Sequence, residues 1–288
     1  MHFTRSLALI GLAALTANAQ SLVRSVNGPG FNAQFGAACI EVPDQNNDGY
    51  ADLLVGAPGY DQERGAIFCV SGAHLALGLG TPTLWSLAPG GSAGNRFGAA
   101  LTYIGDVTDD GIGDFLVGQP GFDATGMQDC GAVRVVDGAT RALERFRIGP
   151  EQGCAFGSAL AVSSDLTFDG RVEVAVGAPG PLSSFSYILM LNLNAVSPHG
   201  DYFIQKLWEV LLGGSFEAGA ALASGFDLNG DGSSDVLMGE PGLLGRGGVR
   251  VFSGLNGATL ANFMSSNSGE RFGASVDAAH DYDQDGLI

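Results

Sequence analysis

Basic residues are scarce in this 288-residue chain: 13 Lys and Arg stand against 30 Asp and Glu, and Lys206 is the only lysine. The formal charge of -17 opposes contact with phosphate backbones and anionic lipid, so nucleic acid is excluded as a partner. Charged residues of all kinds make up 15%, well below ordinary usage, while 45% of residues are hydrophobic, which argues against disorder of the whole. No run approaches 18 uninterrupted apolar residues, so no membrane span is expected. Histidine and cysteine number four each and recur in no pattern, which removes the usual zinc frameworks. No Asn-X-Ser/Thr triplet occurs.

Glycine, by contrast, is abundant, at 46 residues, about twice the average share. Such a chain favours tight turns over long helices. Residues 1–19 read as a secretory signal peptide, with Arg5, an apolar run from Leu7 to Leu15, and the small-residue site Ala17-Asn18-Ala19. A secreted, periplasmic or extracellular location follows as an expectation.

The remaining sequence repeats itself. Phe35-Gly36-Ala37-Ala38, Phe97-Gly98-Ala99-Ala100, Phe156-Gly157-Ser158-Ala159 and Phe272-Gly273-Ala274-Ser275 align, and Ala218-Gly219-Ala220-Ala221 is a version without the Phe. Eight residues after each glycine stands an aspartate: Asp44, Asp106, Asp165, Asp227 and Asp281. Gly-X-Pro follows the first four at Gly56, Gly118, Gly177 and Gly239. Short β-branched and aromatic segments lie between these markers, among them Asp52–Gly56, Ala66–Val70, Ala100–Ile104, Gly131–Val136 and Val249–Phe252. Each unit therefore predicts about four strands, and units of this length suit the blades of a propeller.

Three markers in fixed order resemble FG-GAP repeats, the blades of integrin alpha subunits and of many bacterial secreted proteins. The resemblance runs from about Gly28 to Ile288. It implies an all-β fold, a β-propeller of four-stranded FG-GAP blades. Four full repeats are expected at about 30–90, 91–149, 150–212 and 213–266, and a partial fifth at 267–288. Because propellers of this family typically have seven blades, the expected ring is incomplete or truncated. Ser21–Pro29 resembles an outer strand of a closing blade, and an open ring also offers self-association.

The acidic loops carry the chemistry. Oxygen donors at positions 1, 3, 5 and 9 give Asp44, Asn46, Asp48 and Asp52; Asp106, Thr108, Asp110 and Asp114; Asp165, Thr167, Asp169 and Glu173; Asp227, Asn229, Asp231 and Asp235; and, without a ninth, Asp281, Asp283 and Asp285. With glycine at position 6, this pattern suits Ca²⁺. Position 12 is Val55, Val117, Val176 or Met238, inside expected strands, which excludes an EF-hand. The nine-position loop between a blade's first two strands is what the resemblance implies. Fifteen of the 30 acidic residues occupy ligand positions in these loops, and five divalent ions would bring the charge of the mature chain from -18 to -8. Calcium is thus expected as a folding staple.

Cys39 and Cys69 fall on the first and third strands of one unit, too far apart for a bridge, and are expected buried and free. Cys130 and Cys154 fall together on the face opposite the loops, where a disulfide is plausible after export. Gly90-Gly91-Ser92-Ala93-Gly94 matches a nucleophile-elbow string but lacks the strand-to-helix setting, and His74, His199 and His280 have no recurring acid beside them. No catalytic residue is expected. The reading is an adhesion or recognition module whose protein or glycan ligand meets the face opposite calcium, near Tyr60, Phe122, Arg64, Arg96 and Arg246. Its rivals are the blade region of a secreted hydrolase or lyase, and a calcium-dependent carbohydrate binder.

Overall fold

The computed structural model describes residues 25–78, 80–180, 185–196, 202–213 and 217–278. The expected signal peptide, the fifth acidic loop, His199 and His280 lie outside the described residues. Among the described residues sixteen strands form four sheets, each a four-stranded antiparallel meander in chain order. The first blade holds β1 (Cys39–Val42), β2 (Asp52–Ala57), β3 (Ala66–Val70) and β4 (Thr83–Leu87). The second holds β5 (Leu101–Gly105), β6 (Asp114–Gln119), β7 (Ala132–Val136) and β8 (Leu143–Ile148). The third holds β9 (Ala159–Val162), β10 (Val174–Ala178), β11 (Ser186–Val196) and β12 (Tyr202–Leu212). The fourth holds β13 (Ala221–Phe226), β14 (Asp235–Glu240), β15 (Gly248–Phe252) and β16 (Thr259–Met264). These are the blades of a β-propeller, and no closed ring forms among the described residues.

Alternation along the strands decides which neighbour each blade meets. In the second blade Phe115, Val117 and Val136 join Leu54, Ile67 and Cys69 of the first in one buried cluster. Leu116, Val133 and Val135 point the other way and pack with Val174, Val176 and Leu189 of the third. Ile188 and Met190 of the third blade then meet Val236, Met238 and Phe252 of the fourth. Each space between blades is thus a separate slab of core. Phe97 and Phe156 are wholly enclosed there, a burial worth about 2–3 kcal/mol each.

The repeated glycines set the distance between blades. Within a blade the glycine after the Phe donates its N–H to the carbonyl of the Gly-X-Pro glycine: Gly36 to Gly56 at 2.9 Å, and Gly98 to Gly118, Gly157 to Gly177 and Gly219 to Gly239, each at 3.0 Å. Its own carbonyl presses on the Gly-X-Pro glycine of the blade before. A Cβ on Gly56, Gly118 or Gly177 would lie 2.0 Å from the carbonyl oxygen of Gly98, Gly157 or Gly219, and one on Gly239 would lie 1.9 Å from that of Gly273. Only glycine permits this approach. The Phe adds a parallel bridge to the residue before the third strand of the preceding blade, as Gly65 with Phe97, Gly131 with Phe156 and Gly247 with Phe272. Where the chain has Ala218 for the Phe, Ser186 stands in place of that glycine, and among the described residues no such bridge forms.

Three expectations need correction. Cys39 is exposed, because Ile40 turns toward the second blade and Cys39 faces the other side of β1. The Cys130–Cys154 disulfide is not formed: both thiols are buried and free. Their sulfurs point at backbone oxygens, Cys154 Sγ at the Cys130 carbonyl (3.0 Å) and Cys130 Sγ at that of Phe122 (3.3 Å). Finally, Ser25–Pro29, the described part of the expected closing strand, is not strand.

Candidate functional site

The acidic loops join the first and second strands of each blade, so all four lie at one end of the sheets. Their backbone is the same in each. Position 4 is left-handed in every loop (Asn47, Asp109, Phe168 and Gly230, φ from 57 to 72), and so is the position-6 glycine (Gly49, Gly111, Gly170 and Gly232, φ from 84 to 88). The position-1 carboxylate holds this turn from inside. Asp44, Asp106, Asp165 and Asp227 each accept the position-5 N–H at 3.2 Å and the glycine N–H at 2.7–2.8 Å. The position-5 carboxylates of Asp48, Asp110, Asp169 and Asp231 accept the position-7 N–H at 2.8–3.0 Å. In the first and fourth loops Asn46 and Asn229 donate their Nδ2 to the second oxygen of Asp48 and Asp231, both at 2.9 Å.

Position 9 lies deeper. Asp52, Asp114 and Asp235 are fully buried and bridge two segments through backbone N–H groups. One oxygen accepts from position 2, from Gln45, Val107 and Leu228, each at 2.8 Å. The other accepts from a glycine just past the third strand, from Gly72 at 2.9 Å, Gly138 at 2.8 Å and Gly254 at 3.1 Å. These glycines were missed in the sequence. Their signal is a Ser-Gly or Asp-Gly pair, Ser71-Gly72, Asp137-Gly138 and Ser253-Gly254, directly after a β-branched run.

The third loop differs. β11 continues through the equivalent place with Asn192 and Leu193. Glu173 takes the ninth position, accepting the Leu166 N–H and, at 3.0 Å, the Thr167 hydroxyl. Asn192 Nδ2 then donates to Thr167 Oγ1 (3.0 Å) and Asp169 Oδ2 (3.2 Å). Arg171 reaches across to the second loop, donating to the Asp106 carbonyl and pairing with Asp109.

Charge within the loops is uneven. Burial pushes the Asp52 carboxyl above the ordinary range, with Asp48 and Asp44 adding to it against the Gly72 and Gln45 N–H donors. Burial likewise raises Glu173, with Asp169 and Asp165 adding, and Asp235, with Asp231 and Asp227 adding. Asp114 is also raised by burial, against its N–H and hydroxyl donors. At Asp44 burial acts upward too, but N–H donors from Gly49, Asn46, Asp48 and Asn47 outweigh it and hold the carboxyl low. Among the described residues, two acidic groups bring one oxygen from each member within 4.8 Å of the others: Asp165, Asp169 and Glu173, and Asp227, Asp231 and Asp235. The first and second loops share the backbone without that convergence.

Tyr60, Phe122, Arg64 and Arg96 have structural partners. Tyr60 stacks edge-on against Phe68, with ring centres 6.2 Å apart. Phe122 lies against Arg134, Arg96 pairs with Glu63 at 2.8 Å, and Arg64 with Asp61 at 3.2 Å. Ser92 sits in a loop between strands with no helix after it. His74 lies in a short helix, Gly72–Leu77, its Nδ1 3.3 Å from the Gly80 carbonyl.

A family model described as FG-GAP repeat matches residues 43–68 and 218–252, in the first and fourth blades. Integrin alpha-X of Mus musculus is 34% identical over 170 residues, which cover 54% of this chain and 14% of that protein. The Homo sapiens integrin alpha-X is 37% identical over 169 residues, with the same coverage. Integrin alpha-M of Mus musculus is 35% identical over 186 residues, covering 59% of this chain and 15% of that one. The chain thus spans about one seventh of the length of the curated relatives it matches. A solved structure of exotype rhamnogalacturonan lyase YesX superposes with a TM-score of 0.44 at 15% identity, covering 84% of this chain and 42% of that one. The chain carries FG-GAP repeats of the integrin-alpha-like kind, folded as propeller blades. No helix among the described residues is long and apolar enough to cross a membrane.

Proposed function

We propose that the chain is a secreted, calcium-binding, non-catalytic propeller module for adhesion or extracellular recognition. The convergence of three carboxylates within 4.8 Å, in the third loop and again in the fourth, carries the reading. All donors there are hard oxygens, the chemistry of Ca²⁺ rather than of zinc or copper. Asp165, Asp169 and Glu173 would hold one ion, and Asp227, Asp231 and Asp235 another. In the first and second loops Asp44, Asp48 and Asp52, and Asp106, Asp110 and Asp114, would need to adjust their side chains and not the backbone, because the turn already has the same form.

Calcium on this reading joins the first hairpin of a blade to its third strand, which the position-9 carboxylate already spans in the first, second and fourth blades and Asn192 reaches in the third. It would also offset the mutual repulsion that helps raise Asp52, Glu173 and Asp235. Recognition then belongs to the opposite face, where connections differ in length and sequence from blade to blade. Calorimetric unfolding tests this. With calcium at about 100 times its dissociation constant, one site adds about 2.7 kcal/mol, so the melting temperature falls on chelation. A melting temperature indifferent to chelator would refute the metal assignment.

A further inference from the structure

The second and fourth blades place an arginine at the same point of their third strands, Arg134 on β7 and Arg250 on β15. Each donates its Nε to the middle residue of its blade's Gly-X-Pro marker. In the fourth blade that residue is Glu240, which pairs with Arg250 at 2.9 Å and cancels its charge. In the second it is the neutral Gln119, whose Oε1 accepts from Arg134 Nε at 2.9 Å. Gln119 is buried and orients the guanidinium without neutralising it.

Arg134 is otherwise held by rings. Its guanidinium carbon lies 5.2 Å from the centre of Phe122 and 4.9 Å from that of Phe146, a setting that fixes the plane of the fork. Burial lowers its basicity. The two terminal nitrogens find no acceptor among the described residues. The fork borders a cleft of about 270 Å³, lined also by Gly91, Ser92, Asn95, Gln119 and Phe122. Asn95 is 3% exposed, and its Oδ1 has no hydrogen-bond donor among the described residues. Gln119 ends a six-residue strand whose other end, Asp114, is the ninth position of the second loop. The cleft therefore stands at the end of the blade away from the acidic loops.

The geometry points to a binding site for an acidic sugar: Arg134 takes the carboxylate through its two terminal nitrogens, and Asn95, whose buried Oδ1 must first turn toward the cleft in place of the Nδ2 that lies beside Gly91, accepts a ring hydroxyl. A planar fork without a counter-ion selects a carboxylate bidentately. An orphaned carboxamide oxygen selects a hydroxyl donor, which acetate or an acidic side chain lacks. In a chain of charge -17, an uncancelled and oriented arginine is also what lets an anion approach at all. This site specifies the recognition proposed above and rests on that reading, but it does not depend on calcium.

Ligand-observed NMR titration of the full chain with glucuronate, glucose and acetate tests it, in calcium and in chelator. Glucuronate should bind about ten-fold or more tighter than either of the others. Gln119→Glu copies the pair that the fourth blade already folds around, so it should abolish this binding with an unchanged melting temperature. Arg134→Gln should do the same and serves if the first variant fails to fold. Glucose binding as well as glucuronate, acetate binding as well as glucuronate, or retention of glucuronate by either folded variant would each overturn the assignment. Loss of calcium stabilisation with glucuronate binding intact would instead refute only the metal reading.

Discussion

The third blade and its three companions meet the same requirement by different means. In the first, second and fourth blades the chain leaves the third strand through a glycine that lies against loop backbone. A Cβ on Gly72, Gly138 or Gly254 would come within 1.8–1.9 Å of the carbonyl oxygen of Ala51, Gly113 or Ser234. That contact brings an N–H to an aspartate. The third blade has Leu193 there, wholly inside the core toward the second blade, and β11 and β12 run on as strands of 11 residues each. Glu173 keeps the position-2 bond, from the Leu166 N–H, but without the glycine N–H its other oxygen accepts the Thr167 hydroxyl, and Asn192 ties the strand to the loop by its side chain. The difference teaches that the ninth acidic position is first a structural link between strands and only then a candidate ligand.

The most severe challenge puts the third blade's residue into the second. Gly138→Leu should cost about 4 kcal/mol or more, because the displaced carbonyl belongs to the backbone; urea unfolding measures it, and a cost below ~1 kcal/mol would show that the close approach is dispensable. Glu173→Asp comes next. Shortening the side chain withdraws it from a buried N–H and a hydroxyl, for an expected loss of about 1–3 kcal/mol in the same assay. If the aspartate proved neutral, the longer side chain would have no structural reason. Arg171→Ala should have the smallest effect, within about 1 kcal/mol, since its partner Asp109 is well exposed to solvent. A larger loss would mean that the second and third loops act as one unit.

The strands were legible because β-branched runs between glycine markers admit little else: Ala66–Val70 is β3 as expected, and the first four acidic loops fall between the first and second strands of their blades. The third blade was harder to see. Its loop matches the others at positions 1, 5 and 6, and the one clue, Leu193 where a Ser-Gly or Asp-Gly pair is due, has meaning only once the third strands are aligned. The cysteines failed for another reason. Spacing placed Cys130 and Cys154 near each other, but sulfur direction depends on backbone pairing, with Gly149 N–H at 3.0 Å from the Gly131 carbonyl and Phe156 N–H at 3.2 Å from that of Cys130. The contrast of Gln119 with Glu240 was in plain view. It lacked significance until strand register set Val117 opposite Arg134 and Met238 opposite Arg250.

The glycine-on-glycine step between blades has an evolutionary corollary. Since the carbonyl of Gly98, Gly157, Gly219 or Gly273 seats on its predecessor in the same manner at each joint, a tandem duplication of some sixty codons would yield a unit with both couplings ready-made. Copy number can drift while the joint is preserved, and lineages are free to vary the rim.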